Sequence, residues 1–148
     1  MNGQQRSEQN FATFISWVAS KTDLDFREMV MRGQLSRQEI ARECGFAKSV
    51  LLQNPRVKDS LKSLGNYYDG IIDLVDDLAE AYMGCYEQLK TFPSVYHQPK
   101  EPVKYLESLK GFVDAARKDL PQETQIQNII DEIAQLIDST LYKLRFLK

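Results

Sequence analysis

The amino-acid sequence predicts an all-α protein, with short helices first and an antiparallel helical bundle of three long helices after them. Three observations favour this fold class. Apolar residues recur three and four positions apart, alternating runs are short and rare, and glycine or proline separates the periodic segments. The 148 residues are 43% apolar and 27% charged, a balance typical of a globular chain that can bury its own core.

Two helices are predicted before the first glycine break. The first covers Glu8 to Ser20, with an apolar stripe of Phe11, Phe14, Ile15 and Val18 and with Trp17 beside it. Asp23 can cap a second helix from Leu24 to Arg32, which would bury Phe26, Met29 and Val30. Gly33 ends this helix, because a helix terminus often requires a residue with positive φ.

A third and a fourth helix flank the next glycine. Ser36 caps the third helix and Glu39 follows three residues later, which is the pattern of a capping box. This helix runs to about Cys44 and stops at Gly45. A short fourth helix is expected over residues 47–53.

A fifth helix is predicted to open at Asn54-Pro55, because asparagine suits the N-cap and proline suits the first helical position. We expect it to end at Leu64, where Gly65-Asn66 breaks the chain. The sequence is therefore divided into a domain of residues 1–64 and a second domain of residues 65–148.

The second domain is predicted to contain three long amphipathic helices. They cover Tyr67–Leu89, Val103–Lys118 and Gln122–Phe146, and prolines 93, 99 and 102 mark an extended connector. The apolar stripe of the first consists of Tyr68, Ile71, Val75, Leu78, Tyr82, Tyr86 and Leu89. That of the second consists of Leu106, Leu109, Phe112, Val113 and Ala116. That of the third consists of Ile126, Ile130, Ile133, Ile137, Leu141 and Leu144. Helices with such stripes pack as an antiparallel bundle.

Charge separates the two halves of the chain. Residues 1–63 hold 10 Lys and Arg against 7 Asp and Glu, a balance of +3. Residues 64–148 hold 9 against 14, a balance of -5, and the whole chain has a net charge of -2. This weak acidity argues against a protein that coats nucleic acid non-specifically. The opposite signs indicate two functional parts with different partners.

The sequence offers no visible apparatus for catalysis or for binding a metal. Cys44 and Cys85 are the two cysteines and His97 is the one histidine, which disfavours a Cys/His zinc site and a histidine-activated nucleophile. His97 is expected in a solvent-facing loop. Glycine-rich phosphate loops and the GxSxG and HExxH motifs are missing from the sequence. We therefore predict no enzyme activity, no cofactor and no metal.

Acidic residues on the first long helix are the remaining candidate metal ligands. Helical spacing places five of them on one face: Asp69, Asp73, Asp76, Asp77 and Glu80. No histidine accompanies them, and the Glu-x-x-His pattern of di-metal carboxylate bundles is absent from the sequence. We interpret this face as solvated.

No targeting or membrane segment is predicted. The first ten residues are polar and lack the apolar region of a signal peptide, and no run approaches 18 apolar residues. We expect a cytoplasmic protein with reduced thiols and without a membrane partner.

The segment from Leu35 to Leu51 is the most informative part of the sequence. Ala41 lies where one helix of a pair would press on the next, so a small side chain is needed there. Gly45, four residues later, occupies the turn, where left-handed backbone is easiest without a Cβ. The apolar positions that would lock two helices at a steep angle are Ile40, Cys44 and Leu51 and, after the turn, Phe46.

This pattern resembles the helix-turn-helix of bacterial DNA-binding proteins. The resemblance implies that residues 1–64 bind double-stranded DNA and that the helix at 47–53 enters the major groove. The side chains it directs away from the core are Ala47, Lys48, Ser49, Leu52 and Gln53. Lys48 can donate to guanine O6 and N7, Gln53 can pair with adenine, and Ser49 can serve a base or a phosphate.

Four further residues are implied as contacts to the DNA backbone. Arg37 and Gln38 fall where the family contacts phosphates, at the start of the helix before the turn. Arg56 and Lys58 follow the recognition helix and could add phosphate contacts. The alternative interpretation is that the apolar residues of the motif are only core positions and that its exposed polar residues are only solvated.

A wider resemblance covers residues 24–64. Phe26-Arg-Glu-Met, Gly33-Gln-Leu-Ser-Arg-Gln-Glu-Ile-Ala, Gly45-Phe-Ala-Lys-Ser and Gln53-Asn-Pro are similar to small helix-turn-helix proteins carried beside tyrosine recombinases on bacterial mobile elements. This similarity ends near Leu64, so no function for residues 65–148 follows from it.

Two hypotheses of different classes follow. The first is a sequence-specific DNA-binding protein, a transcriptional regulator or mobile-element accessory factor. We expect it to be a homodimer because a single helix-turn-helix rarely binds tightly. The second is a helical adaptor or inhibitor, an anti-defence or recombination accessory protein, whose acidic C-terminal bundle binds a protein partner. An all-helical enzyme is the third hypothesis. A set of aromatic residues could line a small-molecule pocket, but such residues are more often core with their hydroxyls at the rim: Tyr67, Tyr68, Tyr82, Tyr86 and Phe92.

Overall fold

The computed structural model describes residues 1–92 and 101–146, and within these ranges the predicted all-α class is confirmed. The elements are α1 (Gly3–Ala19), α2 (Asp23–Glu28), β1 (Val30–Met31), β2 (Gln34–Leu35), α3 (Arg37–Cys44), α4 (Val50–Gln53), α5 (Pro55–Cys85), α6 (Pro102–Ala116) and α7 (Thr124–Phe146). The loop predicted around His97 lies outside the described residues. None of the described helices is long and apolar enough to cross a lipid bilayer.

The first two helices begin at reciprocal side-chain caps. Asn2 and Gln5 form a capping box, so α1 begins five residues earlier than predicted. Thr22, and not Asp23, is the N-cap of α2. Its hydroxyl accepts a hydrogen bond from the Asp25 N–H, while the Asp25 carboxylate accepts from the Thr22 N–H.

The second helix is shorter than predicted because the chain turns into a hairpin. α2 ends at Glu28, and β1 then pairs antiparallel with β2. The turn residues Arg32 and Gly33 have φ values of 54° and 76°. Two successive residues in the left-handed region form the tight turn of a two-residue hairpin and cannot continue a right-handed helix.

α5 is one helix of 31 residues where two helices were predicted. Gly65 and Asn66 lie inside it, so the predicted break is wrong. Ser63 and Tyr67, on either side, are buried. Their packing outweighs the roughly 1 kcal/mol that glycine costs in a helix interior. The boundary drawn after residue 64 falls within this helix, and the division into two domains stays a prediction.

Buried residues form two clusters along α5. The N-terminal cluster joins α1–α4 to the start of α5 and consists of Phe14, Trp17, Met29, Ile40, Ala41, Leu51 and Val57. The C-terminal cluster joins α5, α6 and α7 and consists of Tyr67, Leu106, Ile133, Ile137 and Leu141. α5 is the element common to both clusters.

α7 packs against α5 and α6 and runs antiparallel to each of them. Along α5, Tyr86 donates a hydrogen bond to Glu123, whereas Leu136, further along α7, faces Gly70, earlier on α5. The same reversal along α6 is given by the ion pairs Lys110–Asp138, Arg117–Asp131 and Arg145–Glu107. These contacts align the three long helices side by side.

Burial agrees with the predicted stripe on α7 and departs from the prediction at five residues elsewhere. The first five members of that stripe are buried and Leu144 is half-buried. Five residues predicted to be buried are instead exposed: Val30, Val75, Tyr86, Leu89 and Phe112. The first lies in the hairpin, and Tyr86 and Leu89 lie beyond the end of α5. Val75 and Phe112 lie on flanks of α5 and α6 that no described helix covers.

Candidate nucleic-acid interface

Helix α3 begins at a serine cap and ends at a left-handed glycine, as predicted, but the predicted capping box is only half formed. The Glu39 carboxylate pairs with Arg42, and the Ser36 N–H donates to the Met29 carbonyl instead. Ser36 Oγ accepts a hydrogen bond from the Glu39 N–H at 3.4 Å. Gly45 has a φ of 71°, and its N–H donates back to the Arg42 carbonyl at 3.2 Å. A glycine in this conformation closes the helix and turns the chain sharply. The turn leads directly into the segment predicted to read DNA.

That segment contains less helix than predicted. α4 covers only Val50–Gln53, and residues 47–49 form a turn in place of the expected first helical turn. In this turn the Ala47 carbonyl accepts a hydrogen bond from the Val50 N–H at 2.9 Å, a three-residue spacing that is tighter than an α-helix. Asn54 takes an extended conformation before Pro55, so α4 cannot continue.

Apolar contacts fix the helix pair to the protein. Leu51, Ile40 and Ala41 are buried together in the N-terminal cluster. Cys44 and Phe46 are half-buried and pack against the same cluster. Burial raises the pKa of the Cys44 thiol to about 11, so Cys44 packs as a neutral side chain. Every apolar position singled out in the motif contacts this core.

The opposite side of the segment faces solvent. All five side chains predicted to point away from the core are exposed: Ala47, Lys48, Ser49, Leu52 and Gln53. Leu52 is 49% exposed, so it is available to a partner and is not covered by another helix of the described structure. The 47–53 segment thus has one anchored side and one free side.

The four residues predicted to contact phosphates differ in whether their side chains are already engaged within the protein. Arg37 and Gln38 are exposed in the first turn of α3, at the far end of that helix from the glycine turn. Lys58 is exposed near the start of α5. The Arg56 guanidinium lies over the ring of Phe11, 3.9 Å from its centroid. This cation–π contact engages Arg56 with α1 and makes it less available to a phosphate than the other three.

The acidic residues of α3 are offset by partners within the protein. Glu39 forms an ion pair with Arg42 at 2.5 Å. Glu43 forms an ion pair with Lys21 at 2.5 Å and accepts a hydrogen bond from Trp17 Nε1 at 2.7 Å. Both contacts, the one with Lys21 most, hold the pKa of Glu43 below its ordinary value. Glu43 therefore links α3 to α1 through an ion pair and a hydrogen bond.

Several cations of the same region have no such partner. Arg37, Lys48, Lys58 and Lys62 are exposed and form no ion pair with any residue in the ranges 1–92 and 101–146. Asp59 lies between Lys58 and Lys62, but the cations outnumber the acids, so the surface of α3, the 47–53 segment and the start of α5 carries a net positive charge, which favours a polyanionic partner.

A groove beside the glycine turn adds one cation that the sequence analysis missed. It has a volume of about 400 Å³ and is lined by Met1, Arg6, Gln9, Asn10, Thr13, Cys44, Gly45 and Phe46. Arg6 was missed because α1 was predicted to begin at Glu8. The Asn2–Gln5 spacing, which is a capping-box pattern, was the signal for the earlier start.

The described residues contain no group of three or more His, Cys, Asp or Glu arranged to hold a metal ion. The five acidic residues considered on α5 are all exposed. They line solvent along the helix and do not converge on a common point.

The family described as VPA1267-like matches residues 1–120 of the chain. The match lies on both sides of the boundary predicted after residue 64, and it includes the N-terminal cluster, α5 and α6. No curated protein and no solved structure matches the chain.

Proposed function

This chain belongs to the VPA1267-like family, and we propose that it is a sequence-specific DNA-binding protein, either a transcriptional regulator or an accessory factor of a mobile element. The 47–53 segment enters the major groove of double-stranded DNA. One observation carries the proposal: the polar side chains of this segment are exposed while Leu51 anchors it to the N-terminal cluster. A short element fixed on one side and polar on the other suits base recognition.

Three side chains of the segment supply the base contacts. Lys48 donates to guanine O6 and N7, Gln53 forms a bidentate pair with adenine, and Ser49 bonds a base or a phosphate. Leu52, exposed beside them, suits contact with a thymine methyl group. Because α4 has a single turn, the segment reads few base pairs, and a large share of the affinity comes from phosphate contacts.

Cations around the segment position the protein on the duplex. Arg37 and Gln38 bind one stretch of backbone from the start of α3, and Lys58 binds another from the start of α5. Arg56 contributes less because its guanidinium already lies on the Phe11 ring. Glu39 and Glu43 repel phosphates only weakly, since each is paired within the chain.

Salt dependence tests DNA binding itself. The probe is a pool of random-sequence duplexes, and fluorescence anisotropy gives the affinity at increasing salt. If Arg37, Lys58 and Lys62 each neutralise about one phosphate, the slope of log affinity against log salt is about -3, at roughly -0.9 per phosphate. Absence of binding at low salt contradicts the proposal.

Sequence preference tests the role of the 47–53 segment. Lys48→Ala combined with Gln53→Ala removes two base contacts at exposed positions, so the fold is expected to be intact. The matched control is Lys118→Ala with Gln135→Ala, which removes the same residue types from one exposed position just after α6 and one on α7. After selection from the random pool, we expect the first variant alone to lose its preferred sequence. If both variants keep the wild-type preference, another surface reads the DNA.

We further propose that the protein binds DNA as a homodimer. Two-fold symmetry doubles the contacts of a helix pair that reads few base pairs by itself. Light scattering of the free protein and of its complex measures the number of chains. Half-sites about 34 Å apart in the selected DNA support the dimer, and a single half-site bound by one chain contradicts it.

A second candidate function concerns the far part of α5. The acidic residues there adjoin Ile72 and Val75, which are 43% and 50% exposed. An acidic face beside exposed apolar side chains suits a basic protein partner, as expected of a helical adaptor or inhibitor. Replacing Asp73 and Asp76 with lysine is expected to abolish that interaction without lowering the affinity for DNA.

A further inference from the structure

The tip of the β1–β2 hairpin carries a residue that the turn does not require. Arg32 occupies the first turn position with a φ of 54°. Glycine, asparagine or aspartate fills such a position with less strain than a long side chain does. Arg32 is exposed, and its side chain forms no hydrogen bond or ion pair with the described residues. The guanidinium therefore contributes nothing evident to the fold.

The base of the hairpin, in contrast, is held firmly. Met29 is buried in the N-terminal cluster and Leu35 packs against it. The Ser36 N–H donates a hydrogen bond to the Met29 carbonyl at 2.9 Å, which joins the hairpin to the cap of α3. The tip projects from this base, and Met31 beside Arg32 is 65% exposed.

We propose that the hairpin tip inserts Arg32 into the minor groove of DNA, next to the major groove that the 47–53 segment occupies. This inference rests on the proposed function. The base of the hairpin and the helix pair pack in the same N-terminal cluster, so one duplex can contact both. Arg37, which follows the hairpin by a few residues, binds phosphate between the two elements.

The dimensions and chemistry of the minor groove explain why the tip holds arginine. The groove is about 6 Å wide, so it admits a single side chain but not a two-stranded ribbon. Narrow A·T-rich minor grooves have enhanced negative potential and attract arginine. Guanidinium is planar and more weakly hydrated than the lysine ammonium, so it enters such a groove at a lower cost in lost hydration. Met31 beside it is an apolar contact for the groove wall.

Three synthetic duplexes isolate the groove that Arg32 reads. Inosine and guanine share their major-groove acceptors, but inosine lacks the 2-amino group that guanine places in the minor groove. Poly(dI-dC) and poly(dG-dC) therefore differ for the protein in the minor groove, and poly(dA-dT) resembles poly(dI-dC) there. We expect the wild-type chain to bind poly(dI-dC) and poly(dA-dT) about tenfold more tightly than poly(dG-dC).

Substitutions at Arg32 assign this preference to the hairpin. Arg32→Asn removes the guanidinium and places a residue that tolerates the left-handed turn, so the hairpin is retained. We expect it to bind all three duplexes with similar, weakened affinity. Arg32→Lys keeps the charge, and we expect it to keep most of the affinity but lose most of the preference. Lys118→Asn removes one charge beyond the end of α6 and is expected to keep the tenfold preference.

The outcomes distinguish a failure of minor-groove insertion from a failure of the proposed DNA binding. Equal wild-type binding to the three duplexes, or a preference that survives in Arg32→Asn, overturns minor-groove insertion and leaves DNA binding intact. An Arg32→Lys variant with the full wild-type preference also overturns it, because charge alone then suffices. Failure to bind any duplex at low salt overturns both.

Discussion

The first turns of α5 and the turns after residue 66 share one exposed face but carry opposite charges. Lys58 and Lys62 begin this face, and acidic residues continue it at helical spacing: Asp69, Asp73, Asp76 and Glu80. The basic part adjoins the N-terminal cluster, and the acidic part adjoins the C-terminal cluster. A polyanion is therefore attracted to one end of the helix and repelled from the other. The DNA and protein-partner proposals consequently concern separate surfaces.

Core truncations test whether the two regions are independent in stability, and they have the largest expected effects. Phe14 and Ile137 are both fully buried, one in each cluster. We expect Phe14→Ala to lower the free energy of unfolding by about 3–5 kcal/mol and Ile137→Ala by about 2–5 kcal/mol. Because α5 belongs to both clusters, urea unfolding followed by Trp17 fluorescence and by circular dichroism should give coincident transitions. Separate transitions contradict this coupling.

Charge substitutions on α5 sharpen the electrostatic comparison. Lys58→Gln with Lys62→Gln is expected to weaken binding to random duplexes several-fold at low salt and to reduce the salt slope by about 2. Asp73→Asn with Asp76→Asn, the matched pair on the acidic part, is expected to raise DNA affinity about twofold by removing repulsion. Anisotropy titrations measure both effects. A gain far above twofold in the aspartate variant would place DNA close to the acidic part and contradict the comparison.

The pH dependence of stability compares an ion pair of the N-terminal region, Glu43–Lys21, with one of the C-terminal region, Glu107–Arg145. Glu43 has a lowered pKa in the folded protein, mainly because of Lys21 and then Trp17. Its contribution is therefore present above the ordinary glutamate value of 4.5 and is lost as the pH falls through the lower folded-state pKa. We expect Glu43→Gln to cost about 1 kcal/mol at pH 7 and much less in acid.

Glu107 provides the control for this measurement. It pairs with Arg145 on the surface of α6 and α7, where both side chains are more exposed than those of Glu43 and Lys21. An exposed pair contributes between about 0 and 1 kcal/mol, so Glu107→Gln should change thermal stability little at any pH. Equal effects of the two substitutions would show that Glu43 is an ordinary surface charge.

Two glycines of α5 give the smallest predicted effects, with opposite signs. A Cβ at Gly65 would meet no atom within 4 Å, so Gly65→Ala is expected to stabilise the protein by about 0.5–1 kcal/mol through helix propensity. A Cβ at Gly70 would lie 3.1 Å from Leu136, so Gly70→Ala should gain nothing or lose stability. Thermal melts of both variants measure the difference. Destabilisation by Gly65→Ala would indicate that α5 needs a flexible point between its two parts.

Local chemistry was sufficient to predict the helix ends that depend on one or two residues. Asn54 and Pro55 fix the start of α5, and Gly45 fixes the end of α3, because capping and positive φ are properties of the residues themselves. The anchored side of the helix pair was predicted for the same reason. Its apolar positions follow from spacing alone, and the structure places them in the N-terminal cluster.

Features that depend on tertiary packing could not be predicted in this way. Gly65 and Asn66 were predicted to end a helix, but α5 continues through them because Ser63 and Tyr67 are buried. Arg56 was predicted to be available to a phosphate, but its guanidinium lies over the ring of Phe11, which is distant in sequence. The hairpin is an intermediate case. The helical spacing of Phe26 with Met29 and Val30 concealed a turn that the Arg32-Gly33 pair already permitted.

The unbroken length of α5 has a consequence for how the molecule meets its target. At 1.5 Å per residue its 31 residues span about 46 Å, with lysines near one end and carboxylates toward the other. The helix macrodipole points in the same sense, positive at the lysine end. The protein therefore has a lengthwise electric polarity, and under the proposed function the field of a duplex would turn the lysine end of α5 toward the DNA before contact. The rate of association with DNA should then fall as added salt screens this interaction.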